Sequence, residues 1–285
     1  MRSLSGKALA ADLRAVTAAR SAELKDAGLA PRFAVVTASA DEASGWYVRS
    51  LAAAASKVGV SCDVVDLVDL VASDAGDAAA VVGAALTELS DDRRVHGIVL
   101  ATPLPGGMRL AELAGAIDPA KDVDGANPLS LGRIMTGRPA FAPATAAAVI
   151  GLLDQHQVAL EGRRVVVVGR SAVVGKPLAH LLLDRDATVT ICHSRTRGLA
   201  AITAEAEVLV VAAGHAGLIG PEHVGAGATV VDVGTNATAN GGLVGDVDPK
   251  VAEIAGALSP VPGGVGPVTT ALLMRRVVQA AAGYR

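Results

Sequence analysis

Short runs of β-branched residues, each bounded by Gly or Asp, alternate along this chain with longer segments rich in Ala and Leu. That alternation predicts an α/β protein with mainly parallel strands. In the first half it predicts strands at Phe33 to Thr37, Cys62 to Val68 and Val95 to Leu100. Helices are expected there at Gly6 to Ala27, Asp41 to Val58 and Ala75 to Leu89. A fresh series of strands follows at Arg164 to Val168, Thr188 to Cys192, Val208 to Ala212 and Thr229 to Val233. Its first member is a near-continuous valine run, as expected of a parallel strand covered on both faces.

Between the two series, Ile117 to Pro143 reads as irregular, with Pro119, Pro128, Pro139 and Pro143 as helix breakers. The domain junction is placed near the end of this stretch, with Pro143 opening a long connecting helix. After the second series comes SPVPGGVGPVTT and a final helix running to about Ala282. A length of 285 residues accommodates two modest domains.

Composition narrows the function. Lys and Arg number 25 against 28 Asp and Glu, a net charge of −3 with no long run of either sign. This excludes a polybasic nucleic-acid or membrane-surface binder and leaves room for a local anion pocket. Aromatic residues make up 2%, too few for base-stacking platforms. The longest uncharged apolar stretch, Pro139 to Leu153, is 15 residues with two prolines, short of the roughly 20 that span a bilayer. Lys7 and Asp12 interrupt any apolar core of signal-peptide length. Cys62 and Cys192 lie far apart in unlike contexts, which predicts neither a disulfide scaffold nor a zinc knuckle and fits a reducing cytoplasm. No metal site is expected. Asn236-Ala237-Thr238 matches a glycosylation acceptor by chance.

The stretch VVVVGRSAVVGKPLAHLLL reads as an apolar strand, a glycine turn and a helix with Pro177 in its first turn. Gly169 and Gly175 let the backbone approach a phosphate, and the helix start offers unpaired N–H groups and the positive end of its dipole. Ser171 stands where the common Gly-x-Gly-x-x-Gly pattern has its middle glycine, and Gly175 falls one residue late; an ordinary tight turn fits the same letters. The next strand, ATVTICHSRT, ends where NAD-specific folds usually carry an acidic residue. Here the end carries His193, Ser194, Arg195 and Thr196. A hydroxyl and a forked guanidinium suit a 2′-phosphate, so NADP is favoured over NAD; a solvated polar strand end is the plainer alternative. His193 is read as structural.

Taken in order, GRSAVVGKP, ATVTICHSRT, VVDVGTN, GDVD and PVPGGVGP, with KDVDG at Lys121 to Gly125, resemble the bifunctional methylenetetrahydrofolate dehydrogenase/cyclohydrolase family, known in bacteria as FolD. The resemblance runs from about Leu4 to the final helix. It implies an α/β folate domain (residues 1–140 plus 267–285), a Rossmann-like NADP-binding domain (141–266) and a cleft between them for a tetrahydrofolate derivative. It also implies a homodimer through the nucleotide domain. By this resemblance Gly169, Arg170, Ser171, Gly175, Ser194, Arg195 and Thr235 contact NADP, with Thr235 acting through its backbone because the family often has Ile there. Pro262, Gly263 and Gly264 line the folate site, where glycine allows close backbone approach. Asp124 matches the pterin-binding aspartate, since a carboxylate accepts two adjacent N–H donors. An Asp that only caps the turn before Gly125 fits the same letters.

The folate half departs from the family where the chemistry lies. A Tyr-x-x-x-Lys pair is expected on a helix, four residues apart and so on one face. This chain reads Ser44-Gly45-Trp46-Tyr47-Val48-Arg49-Ser50-Leu51: the tyrosine is present and the lysine position is Leu51. Tyr47 could equally pack in the core of an Ala-rich helix. Arg49 lies about 200° around the helix from Tyr47, and Lys57 about 9 Å along it from Leu51, so neither replaces the amine locally. Ala101 stands at the position of the family's glutamine, which positions that lysine. AFAPAT at Ala140 to Thr145 stands where a Pro-Cys-Thr-Pro segment is usual, and Pro143 alone matches.

These substitutions bear unequally on the two reactions the resemblance implies. Hydride transfer from a methylene bridge to NADP⁺ leaves a methenyl cation stabilised by its own nitrogens and depends mainly on alignment. Opening the methenyl ring to 10-formyltetrahydrofolate needs groups that move protons. The expectation is an NADP-dependent dehydrogenase of 5,10-methylenetetrahydrofolate, acting in one-carbon metabolism, with cyclohydrolase activity weak or lost. The alternatives are a catalytically silent NADP- or folate-binding paralogue and a dehydrogenase redirected to another substrate, the cleft being rebuilt by Trp46, Leu51, Ala101 and Phe141. Lys7 and Lys121 are remote lysines whose placement the sequence leaves open.

Overall fold

A computed structural model describes residues 1–73, 77–238 and 241–283. In chain order the elements are β1 (Arg2–Ser3), α1 (Lys7–Asp26), β2 (Arg32–Thr37), α2 (Glu42–Lys57), β3 (Ser61–Asp66), α3 (Val68–Ser73), α4 (Ala78–Asp91) and β4 (Gly97–Leu100). There follow α5 (Leu110–Leu113), α6 (Pro128–Met135), α7 (Ala144–Gln155), β5 (Arg164–Val168), α8 (Gly175–Leu183), β6 (Thr188–Cys192), α9 (Leu199–Thr203) and β7 (Val208–Val211). The chain ends with β8 (Thr229–Asp232), β9 (Asn236–Ala237), β10 (Leu243–Val244), β11 (Ala257–Leu258) and α10 (Val265–Ala281). Two compact units result, one of Met1–Ala10 with Thr145–Thr269, the other of Ala11–Ala144 with Thr270–Arg285.

The first unit holds a six-stranded sheet of order β1-β11-β8-β7-β5-β6, every neighbouring pair parallel. Strands β9 and β10 form a separate antiparallel pair. The sequence reading grouped the first ten residues with the other half; here β1 joins this sheet beside β11. Because β6 and β7 flank β5 on opposite sides, the connections after β5 and β7 leave in opposite directions and open a crevice at the carboxyl ends of those strands.

The second unit is built on a parallel sheet of order β3-β2-β4, with the same divergence at β2. Phe33 and Val35 pack into one buried cluster and Ala34 and Val36 into another. Side chains alternate across a strand, so the sheet is covered on both faces and β2 is apolar from Phe33 to Val36. The first cluster unites Val48, Leu51 and Ala55 of α2 with Leu273, Met274, Val277 and Val278 of α10. Helix α10 comes so close to β4 that a Cβ at Gly97 would lie 2.7 Å from a Val277 methyl.

Some elements differ from expectation for local polar reasons. Pro128 does not break a helix but opens one: the Asn127 side chain accepts from the Leu129 N–H (2.7 Å), and proline at a first helical position loses no needed donor. Strand β3 stops at Asp66, whose carboxylate accepts from the Val68 N–H and turns the chain into α3. The expected helix start at Ala75 lies outside the described residues, and the helix observed begins at Ala78. Strands β1 and β11 are two residues each, too short to show a period. No helix among the described residues is long and apolar enough to cross a membrane.

Candidate functional site

In the six-stranded unit the glycine turn lies at the carboxyl end of β5. A Cβ at Gly169 would collide with the Ala212 carbonyl, and one at Gly175 with the Gly169 carbonyl. Only glycine lets the end of β5, the start of α8 and the end of β7 close on one another, which leaves a cradle walled by backbone. Ser171 is committed to that turn, its hydroxyl accepting from the Val174 N–H (3.1 Å). The Gly169 N–H donates to the Cys192 carbonyl (2.8 Å), tying the turn to β6. At the end of β6, Ser194 and Arg195 are exposed, as is Arg170. His193 is a turn staple: its Nδ1 accepts from the Arg195 N–H (3.1 Å), while its own N–H donates to Thr196 Oγ1 (2.9 Å). The backbone-walled cradle and the adjoining exposed guanidiniums fit a dinucleotide phosphate.

Two buried carboxylates, not singled out from the sequence, hold the rest of this edge. Asp232 accepts N–H bonds from Gly234, Asp246 and Val247, and burial raises its pKa against those bonds. Asp246 accepts from the Ala213 and Gly214 N–H groups (2.7 and 2.9 Å) and from the Asn236 amide (2.8 Å). These contacts account for VVDVGTN and GDVD as a paired clamp that fixes the loop after β7 and the exposed Thr235. Asn236, the chance glycosylation match, is spent on this clamp. The PVPGGVGP loop is pinned by a bond from the Gly6 N–H to the Gly263 carbonyl (2.9 Å), and Gly264 packs against the Pro260 carbonyl. The Lys7 side chain lies beside Gly263.

In the three-stranded unit, Tyr47 on α2 and Asp124 in the KDVDG loop are brought together, each partly buried. Burial, and secondarily the Asp124 charge, raises the Tyr47 phenol far above neutral pH, so it stays protonated. The Asp124 carboxyl is pushed up to about 6 by burial first and by Asp122 second, with Arg276 opposing. Asp122, fully buried, accepts from the Ala126 and Asn127 N–H groups (both 2.9 Å). Leu51 and Ala101 are wholly buried in the apolar cluster that Tyr47 and Phe141 pack against. Trp46 is 55% exposed and fills no part of this cluster.

The sequence reading missed Arg276. It is 7% exposed, donates from Nη1 to the Val123 carbonyl (2.8 Å) and stacks 5.5 Å from the Phe141 ring centre. Burial draws its pKa down to about 10, with Asp124 and Asp122 opposing, so it remains charged at neutral pH. An Arg in an apolar helix face was the available signal, but nothing local tells which partner it meets. Lys121 is spent elsewhere: its Nζ donates to the Ser90 and Asp92 carbonyls (2.5 and 2.8 Å), capping the end of α4.

Comparison with known proteins agrees with both halves. Residues 4–124 match the tetrahydrofolate dehydrogenase/cyclohydrolase catalytic domain, and residues 143–285 match the NAD(P)-binding domain of the same enzymes. The chain is 56% identical to Bifunctional protein FolD 1 of Saccharopolyspora erythraea over 281 residues, covering 98% of this chain and 94% of that protein. Its structure is similar to that of the bifunctional FolD of Campylobacter jejuni (TM-score 0.91, 34% identity, all of both chains covered). It is also similar to Trypanosoma brucei FolD complexed with NADP and an inhibitor (TM-score 0.89, 33% identity, 98% of this chain and 96% of that one).

Proposed function

The chain belongs to the tetrahydrofolate dehydrogenase/cyclohydrolase family, and from that premise we propose that it oxidises 5,10-methylenetetrahydrofolate to 5,10-methenyltetrahydrofolate but hydrolyses the product weakly or not at all. NADP is the cofactor, and when bound it supplies the hydride acceptor. The six-stranded unit carries it on Gly169, Arg170, Ser171, Gly175, Ser194, Arg195 and the backbone at Thr235. The three-stranded unit carries the folate, with Tyr47 along the ring and Asp124 on the pterin N–H groups. The protein works as a cytoplasmic homodimer, a reading that its two free cysteines fit.

One observation carries the split between the two reactions: Leu51, buried without exposure beside Ala101 in the cluster that Tyr47 packs on. In the first reaction the bridging carbon loses hydride and its two nitrogens share the resulting charge. The chain's task there is to hold the donor carbon in line and exclude water. In the second, water adds to the methenyl carbon, a proton leaves that water and a carbon–nitrogen bond opens. The Tyr47 phenol stays protonated, and Leu51 and Ala101 offer no acid or base. Of the unit's three lysines, Lys121 is engaged at α4, and Lys25 and Lys57 lie in the last turns of α1 and α2; Lys7 belongs to the six-stranded unit, beside Gly263.

Purified protein given methylenetetrahydrofolate and NADP⁺ is expected to form NADPH while methenyl product accumulates and disappears at its spontaneous rate. Enzymatic clearance keeping pace with its formation overturns the proposed loss.

A further inference from the structure

The fold brings Arg276 of the three-stranded unit's second segment to the KDVDG loop of its first, where it bonds to the carbonyl of the residue before Asp124, and both side chains keep unused hydrogen-bonding groups. Among the described residues, no N–H or O–H is donated to the Asp124 carboxylate, and the Arg276 guanidinium donates only to the Val123 carbonyl. The two couple through space without ion-pair contact. Among the described residues, the side-chain polar atoms sealed from solvent without a partner are Thr37 Oγ1, Ser44 Oγ and Ser130 Oγ, so the unused donors of Arg276 and acceptors of Asp124 reach the surface, where one ligand can complete both. The Phe141 ring beneath the guanidinium and the bond to Val123 together hold the Arg276 head beside Asp124.

The geometry points to Arg276 as a specificity-determining residue that, with Asp124, reads the 2-amino-4-oxo edge of a pterin. That edge presents two N–H donors followed by a carbonyl acceptor. A carboxylate supplies the two matching acceptors and a neighbouring guanidinium the matching donor. This inference rests on the folate reading above and deepens it. It also separates two functions of a cation. Guanidinium remains charged, so Arg276 can grip and orient the ring without restoring the proton transfer that the amine absent at Leu51 would perform.

The experiment compares binding of a 4-oxo tetrahydropterin, tetrahydrofolate itself, with its 2,4-diamino counterpart, which places a donor where Arg276 also donates and, in its neutral form, turns the N3–H that faces Asp124 into an acceptor. Calorimetry on full-length wild type is expected to favour the 4-oxo ligand by at least about 10- to 100-fold, the range for the one charge-assisted hydrogen bond from Arg276, with the Asp124 contact adding to it. Arg276→Gln should remove that share of about 10- to 100-fold, leaving the share due to Asp124, and raise the KM for methylenetetrahydrofolate while leaving NADP affinity unchanged. Arg276→Lys, which keeps the charge with less demand on the fold, should retain part of the preference. Wild type with no 4-oxo preference, or either variant keeping it in full, overturns the assignment. Failure of wild type to bind tetrahydrofolate at all overturns the folate reading instead. A merely structural role would lower the melting temperature without moving the 4-oxo/4-amino ratio.

Discussion

The two units use their crevices differently. At the edge of the six-stranded sheet the proposed binding groups are mostly backbone, and the polar side chains of the motifs hold that backbone: Ser171 on Val174, His193 on Arg195, Asp232 and Asp246 on five loop N–H groups. At the edge of the three-stranded sheet the proposed binding groups are side chains, Tyr47, Asp124 and Arg276, and the backbone beneath them is an ordinary covered sheet. A site made of backbone tolerates little change, because altering one motif residue moves several donors. A site made of side chains can, on the reading proposed above, exchange an amine for Leu51 and an amide for Ala101, both of which are buried in the core. Substitution of side chains in the folate half is therefore what this architecture permits, and the Thr235 substitution in the other half leaves the backbone there in place.

The sharpest way to test that contrast is to break the backbone clamp. Asp246→Ala breaks three part-buried hydrogen bonds to a carboxylate, from the Ala213 and Gly214 N–H groups and the Asn236 amide, which together should cost about 3–5 kcal/mol. Denaturant unfolding would measure it, and NADP binding should be lost in any protein that stays folded. Leu51→Lys comes next: an amine placed in the apolar cluster should destabilise by about 3 kcal/mol or more. Methenyl clearance should remain at the spontaneous rate in this variant, since Ala101 still offers no partner to orient the amine.

Asp124→Asn should act on the substrate alone, raising the folate KM about 10- to 100-fold with NADP affinity and melting temperature near wild type. The same carboxyl predicts a pH effect. With its pKa near 6, Asp124 is ionised above that value and protonated below it, so the folate KM should rise about tenfold between pH 7 and pH 5. Asp122, Arg276 and the neutral Tyr47 phenol face it, and Asp124→Asn should flatten the profile. Smallest is Ser171→Ala, which removes a single exposed bond to Val174: about 1 kcal/mol of stability and a severalfold rise in the NADP Kd.

Arg276 illustrates why some of the site was hidden from the sequence. It bonds to a carbonyl 153 residues away, an encounter decided by α10 closing on β4 at Gly97. Lys121 shows the reverse, a charged residue in a motif next to Asp124 that the fold points at the end of α4. Pro128 was misread because a residue that ends one helix is also suited to begin another, and the Asn127 cap decides which.

By itself the sequence determined the two series of parallel strands, the glycine turn after β5 and the missing amine at position 51. Each is a local matter of apolar period, Cβ sterics or side-chain identity, readable within a few residues. The tertiary structure alone decided that Asp232 and Asp246 form one clamp, that Leu51 and Ala101 are buried in the core, and that a charged Arg276 stands beside Asp124. Those outcomes depend on which distant segments exclude water from one another, and the energy of a buried charge is set by what surrounds it in space.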